Sequence, residues 1–239
     1  MAGWQLWDRG EVLKEAAIEP RLASWEAKDH PAQLAQQRYL SNLAAEFGPL
    51  VAGRERLFLH MDIDVLLTER LLHHYDLENY LTPVVDKLGA THFVFASARK
   101  YVGGGSRLIV GEAAPGEQGA DLPGWSHFAC SAGSGSSKPA WKASLREVLA
   151  ATRPQLLPSG PVDVRLAWRC SPPPKRNWVW LWKPTGDAMG PVLGEPGAKH
   201  PFNPSDDRIV SLGLHLNADE SMGHDVDVGM WWRPATARA

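Results

Sequence analysis

Cysteine is scarce in this chain. Cys130 and Cys170 are the only two, too few for a disulfide framework or a zinc knuckle, so both read as reduced, small apolar residues. Long apolar runs are missing as well. Nothing approaches the ~20 residues of a membrane span, and Met1-Ala2-Gly3-Trp4 lacks a basic stretch leading into an apolar one. The expectation is a cytoplasmic protein with no membrane partner. Excess charge of one sign is also absent: Lys plus Arg number 25 and Asp plus Glu 27, for a net charge of −2. That balance supplies no overall basic field, so any contact with a polyanion must come from local patches. No Gly-Lys-Ser/Thr follows Gly103-Gly104-Gly105-Ser106, which excludes a phosphate loop there and predicts a hairpin turn. His73-His74 are adjacent and make a poor ligand pair, and no Ser/His/Asp or Cys/His signature occurs in local form.

What is present is an ordinary globular composition, 44% hydrophobic over 239 residues, with an unusual eleven tryptophans. Those at 168, 178, 180, 182, 231 and 232 read as packing between parts of the molecule. The parts are set by an internal repeat. Pro31 and Arg38 match Pro139 and Arg146 at the heads of two amphipathic segments. Each is followed by an alternating apolar run, Leu57, Leu59, Met61, Ile63, Val65 in the first copy and Val162, Val164, Leu166, Trp168, Cys170 in the second. Pro83-Val84-Val85 then answers Pro191-Val192-Leu193, and the run 107–111 answers 225–229. Four matches in one order indicate an internal duplication, with units at 1–115 and 116–239.

Periodicity predicts the elements of each unit. In the first, Trp4–Trp7 reads as a strand and Glu11–Glu19 has helical spacing. A helix then runs over 31–47 with Gly48-Pro49 as its stop, followed by a strand over 57–65, a short helix over 81–88, and strands over 92–100 and 107–111. Asp62 and Asp64 read as solvated residues on the outward face of their strand. In the second unit the corresponding pieces are a strand at 125–130, a helix at 140–153, a strand at 162–170, a proline turn at 172–174, and strands at 209–216 and 225–232. Each unit reads β-α-β-α-β-β. The fold class is α+β, with helices on one face of a mixed sheet and the units related by an approximate two-fold axis.

The stretch Asp76-Leu77-Glu78-Asn79-Tyr80, with Asp86 and Leu88 beyond it, is where chemistry concentrates. Clustered carboxylates are costly unless protons or a cation neutralise them, and all-oxygen donors suit Mg²⁺ or Mn²⁺. The alternative is an acidic helix start, Asp76 capping and Glu78 in the first turn. Local basic residues, Arg54, Arg56, Arg99, Lys100, Lys175 and Arg176, are the candidates for phosphate contact.

Asp-x-Glu-Asn followed by Asp-x-Leu, and Asp206-Asp207 immediately before a strand, resemble the motifs of RusA-type Holliday-junction resolvases. That family is homodimeric, Mg²⁺-dependent and cuts DNA. The resemblance implies Asp76, Glu78 and Asp86 as catalytic metal ligands in the first unit. In the second, Lys183-Pro184-Thr185-Gly186-Asp187-Ala188 is similar to the same motif with its first Asp and its Asn replaced. It implies Asp187, Asp206 and Asp207 as further metal ligands, and Lys183 and Arg208 beside Arg99, Lys100, Lys175 and Arg176 as DNA contacts. Thr82 stands where the family carries Lys, and the first unit has Ala90-Thr91-His92 where the Asp pair would be. The implied protein is a fused pseudo-dimer that binds branched or structured DNA, either as a Mg²⁺-dependent endonuclease or as a non-catalytic binding or assembly protein.

Overall fold

The computed structural model describes residues 3–22, 27, 29–67, 71–72, 76–119, 121–134, 138–171, 178–195 and 202–235. The strands are β1 (Gln5–Ile18), β2 (Leu57–Asp64), β3 (Phe93–Tyr101), β4 (Ser106–Gln118), β5 (Ser126–Ser134), β6 (Val162–Cys170), β7 (Ile209–Ala218) and β8 (Asp225–Pro234). The helices are α1 (Pro31–Val51), α2 (Leu77–Leu88), α3 (Lys138–Ala151), α4 (Trp182–Ala188) and α5 (Gly190–Leu193). The fold is α+β. One mixed sheet takes all eight strands in the order β1-β4-β2-β3-β7-β6-β8-β5.

Each half of the chain supplies four neighbouring strands, and the two halves pair alike. β2 runs parallel to β3 and antiparallel to β4, which is antiparallel to β1. β6 runs parallel to β7 and antiparallel to β8, which is antiparallel to β5. Even the irregularities coincide. Leu57 pairs Phe93 while Phe58 pairs Phe95, and Val162 pairs Ile209 while Asp163 pairs Ser211, one residue being skipped at the same step. The halves join through β3 and β7, antiparallel, with Ser97 opposite Gly213. Counted from Phe93 and Ile209, those two residues hold the same place in their strands.

Alternation divides each strand between two faces. On one face Leu57, Leu59, Met61, Ile63, Val164, Leu166, Trp168, Leu212 and Leu214 form a continuous core with residues of all five helices. The opposite face carries smaller clusters, Phe58, Phe95 and Ile109 in one and Trp4, Leu6, Ala167 and Trp231 in another. Tryptophans do join the halves. The Trp178 indole donates to Ala90 O and Phe93 O, both at 3.0 Å, and Trp7 Nε1 donates to Leu216 O at 3.0 Å. Both cysteines are free thiols. Among the described residues no helix is long and apolar enough to cross a membrane.

Several local expectations change. Residues 11–18 are strand, because their backbone groups pair with β4 from Gly111 back to Ser106; a partner strand overrides helical spacing. α1 runs past Gly48-Pro49 to Val51, where buried Phe47 and Val51 anchor its last turn. The glycine turn does not close a hairpin, since β2 lies between β3 and β4. Instead the turn wraps the end of β2. Asp64 accepts hydrogen bonds there from Leu66 N at 2.9 Å and from Gly103 N and Gly105 N, each at 3.0 Å, which holds its carboxyl below the usual range. Gly103, Gly104 and Gly105 all have positive φ, which a side chain would resist. β4 continues through residue 115 to Gln118, so the connection between the halves falls at 119–125. The proline turn at 172–174 lies outside the described residues.

Candidate metal centre

Topology brings the acidic residues together. β2 and β3 are parallel, so both end on one side of the sheet, and α2 begins near that end. β7 is antiparallel to β3 and therefore starts there too. The 3₁₀ turn Asp206–Arg208 that precedes β7 thus arrives beside the first turn of α2. Carboxylate oxygens of Asp76, Glu78 and Asp206 lie within 4.8 Å of one another. Two come from the first half of the chain and one from the second.

Asp76 stands at the N-cap position of α2 and Glu78 in its first turn. Asp76 makes no side-chain cap bond to the helix backbone; Asn79 Nδ2 approaches its Oδ2 at 3.4 Å. A helix start and an acidic cluster therefore coexist in the same residues. Glu78 is 6% exposed. Burial, with the charges of Asp76 and Asp206, pushes its carboxyl up to about 8. Asp206 is pushed up to about 6, again chiefly by burial and then by Asp76. Lys100, at the end of β3 and 4% exposed, donates from Nζ to the Asp207 carbonyl. Burial draws its ammonium down to about 8 against the pull of Asp76, Asp207, Glu78 and Asp206. Beside the cluster opens a cavity of about 670 Å³, lined by Asp76, Ser159, Asn203, Ser205, Asp206 and Asp207 among others.

Three hard oxygen donors at this spacing, two of them reluctant to ionise side by side, fit a divalent cation of the Mg²⁺ or Mn²⁺ type. Otherwise protons on the carboxyls and the buried Lys100 are what balance them.

Other nominated residues fall elsewhere. Asp86 is exposed at the far end of α2, over two turns from Asp76, and does not join the cluster. Asp207 lines the cavity but is not one of the three converging carboxylates. Asp187 is bridged by Lys142 at 3.1 Å and Lys183 at 2.9 Å. Arg99 is paired with Asp62 on the sheet face away from the helices. Arg208 is spent on main chain: Nε donates to Gly160 O at 2.9 Å, Nη1 to Leu193 O at 3.0 Å, and Nη2 to Pro158 O. Lys175 and Arg176 lie outside the described residues. Lys183 sees the charges of Asp206 and Glu78 in addition to that of Asp187.

The corresponding position in the second half is closed. Ala90 stands where Asp206 stands, just before its strand. Thr185, which the resemblance aligns with Asp76, lies inside α4 rather than at a helix start; it donates to Leu181 O at 2.7 Å and accepts from the Trp168 indole at 3.2 Å. Asp187, aligned with Glu78 by the same resemblance, is neutralised by its two lysines.

Sequence reading missed one arrangement outright. On the face away from the helices, His60 Nδ1 meets Ser97 Oγ at 2.8 Å and His60 Nε2 meets Asp62 Oδ1 at 2.9 Å. Asp62 is fully buried, also bonded to Arg99 and Arg107, and its carboxyl is held far below the usual range by His60 and these arginines despite burial. The signal was register: His60 and Asp62 alternate on β2, and Ser97 is the β3 residue paired with His60.

The chain matches no protein-family model and no curated protein.

Proposed function

We propose that this chain is a divergent RusA-like protein, a fused pseudo-dimer that binds branched or structured DNA and cuts it with Mg²⁺ or Mn²⁺. The observation that carries the reading is the meeting of Asp76 and Glu78 with Asp206 across the junction of the two halves. Support for a duplicated origin comes from the identical pairing of the halves, their shared skipped residue and the antiparallel β3–β7 join centred on Ser97 and Gly213. A dimer made by fusing two copies would assemble one active centre from both.

Asp76, Glu78 and Asp206 would hold the ion. When bound, it would supply an activated water and offset charge on the leaving oxygen of a phosphodiester. The chain's own residues prepare that task. Glu78, held protonated at neutral pH, would give up its proton to the cation, and Lys100 would keep a positive charge behind the three carboxylates. In the cavity beside them, Ser159, Asn203 and Ser205 offer neutral hydrogen-bonding groups alongside Asp76, Asp206 and Asp207.

A binding-only reading is favoured by the losses: Thr82 in place of Lys, and a second position sealed by Thr185, Asp187 and their partners. The two are separated by assaying a four-way DNA junction with and without Mn²⁺, using wild type and Asp76→Asn. Metal-dependent cutting that vanishes in the variant, with binding retained, supports the nuclease. Binding without cutting supports the second reading, and neither binding nor cutting refutes both.

A further inference from the structure

We propose that Ser97 is an activated nucleophile, served by His60 as general base, and that it gives this chain a second chemistry of acyl transfer, separate from the acidic cluster. The polarity of the hydrogen bonds makes the case. Asp62 is bonded to Arg99 and Arg107 and is an ionised acceptor, so His60 Nε2 donates its proton to it. His60 Nδ1 therefore bears a lone pair, and Ser97 Oγ at 2.8 Å donates to it. Serine, imidazole and carboxylate then stand in the relation that activates serine in hydrolases of unrelated fold, recognised by roles rather than by sequence order. Here the two ring nitrogens are interchanged. Burial holds the His60 imidazole below its ordinary range, hence neutral and able to take a proton.

A second group points to the same spot. His215 accepts the Trp7 N–H at its Nδ1, 3.0 Å away, so its Nε2 carries a hydrogen. That N–H is buried and has no hydrogen-bond partner, a costly condition unless an acceptor visits. It lies 3.3 Å from the point that a Cβ on Gly213 would occupy, and Gly213 is the residue facing Ser97 across the sheet. Ser97 keeps 6% of its surface exposed, and the place of a Gly213 side chain is bordered by His215 Nε2, the Arg165 stem and the Phe95 ring, at 3.3, 3.5 and 3.7 Å, with Phe95 stacked on His215 as an apolar wall. An oxygen bonded to the carbon under attack by Ser97 would be the acceptor that His215 lacks.

The step is ordinary acyl transfer to a small activated ester. Ser97 Oγ bonds to the carbonyl carbon as its proton passes to His60 Nδ1. The ester C–O bond then breaks, the leaving alkoxide or phenoxide takes that proton, and Ser97 remains acylated. Water enters by the same sequence, releases the acid and restores the hydroxyl. Asp62 acts through His60 and is a positioning residue.

The test is labelling of the full-length chain with a fluorophosphonate probe, followed by peptide mass mapping, with p-nitrophenyl acetate turnover as a second readout. The expected result is one adduct on Ser97, none in Ser97→Ala, and labelling slowed by about 10²-fold or more in His60→Gln. Circular dichroism melting checks that each variant is folded. A folded wild type in which Ser97 takes no label overturns the proposal, and so does equal labelling of wild type and His60→Gln.

Discussion

Ser97 and Gly213 face each other at the centre of the sheet, and each occupies in its own half the place the other occupies in its half. The whole arrangement turns about that pair. It carries the N-terminal turn of α2 to the start of β7 and so makes one acidic centre from two distant stretches of chain.

Two glycines, one in each half, should be intolerant; the register sets Gly111 opposite Phe58 and Gly229 opposite Ala167, so the sequence match of 107–111 with 225–229 is not kept in the sheet. A Cβ at Gly111 would sit 2.2 Å from Glu11 O and 2.5 Å from the Phe58 ring; at Gly229 it would sit 2.7 Å from Trp231 and 2.9 Å from Trp4. Gly111→Ala meets main chain and should destabilise by about 2–4 kcal/mol. Gly229→Ala meets ring atoms in a packed cluster and should cost about 1–3 kcal/mol. Urea unfolding midpoints measure both, and an unchanged midpoint for Gly111→Ala would contradict the β1–β4–β2 packing.

Two buried groups should each lose their contribution to stability in acid. Burial pushes His215 down to about 3, so the folded state resists its protonation. The stability this contributes is complete above the unfolded histidine value of about 6.5 and is lost as pH falls from there toward 3. The Asp62 carboxyl is depressed, so its contribution is complete above about 4 and is lost below that. Between 6.5 and 4 the raised carboxyls of Glu78 and Asp206 take up protons in the folded state and oppose the histidine loss. The His215 contribution is therefore read as a difference: the urea midpoint of wild type relative to His215→Phe should fall as pH drops from about 6.5, and both should fall steeply below about 4.

Arg208 should matter to stability rather than to any ligand. Its guanidinium holds the carbonyls of Pro158, Gly160 and Leu193 against the turn that carries Asp206. Arg208→Ala should cost about 2–4 kcal/mol, since charge-assisted bonds to main chain are among the stronger ones. Thermal melting reads it out; a wild-type melting temperature would return Arg208 to the list of candidate phosphate contacts.

Much of this fold is legible in sequence because alternation is strong where one strand face meets helices, as along Leu57–Ile63 and Val162–Cys170. The misreadings share a cause. Residues 11–18 carry spacing that suits a helix, and only pairing with β4 makes them a strand. The glycines at 103–105 announce a turn but not which strands it connects. At the site, Asp76 and Glu78 stand out as a local pattern and Asp206 as half of an acidic pair. Their union depends on the β3–β7 register, to which no local pattern refers. Asp86 fits the motif spacing, yet the helix that positions Glu78 carries it away. The Ser97–His60 contact is likewise a matter of two parallel strands in register.

Neutralising Glu78 should stabilise the metal-free chain. Its carboxylate is buried against Asp76 and Asp206, so Glu78→Gln removes a repulsion and should raise the melting temperature at pH 8 by about 2–4 °C, corresponding to about 1 kcal/mol. The same variant should lose the further rise that Mn²⁺ gives wild type, about 2.7 kcal/mol at a hundredfold excess over Kd. Differential scanning calorimetry with and without Mn²⁺ checks both signs.

The most direct measurement is calorimetric titration of Mn²⁺ into the metal-free chain, comparing wild type with Asp76→Asn and Asp206→Asn. One ion should bind per chain, and each variant should weaken it at least tenfold, because each half contributes ligands to a single centre. Wild-type affinity in Asp206→Asn would mean that the second half takes no part, and the composite centre would be wrong.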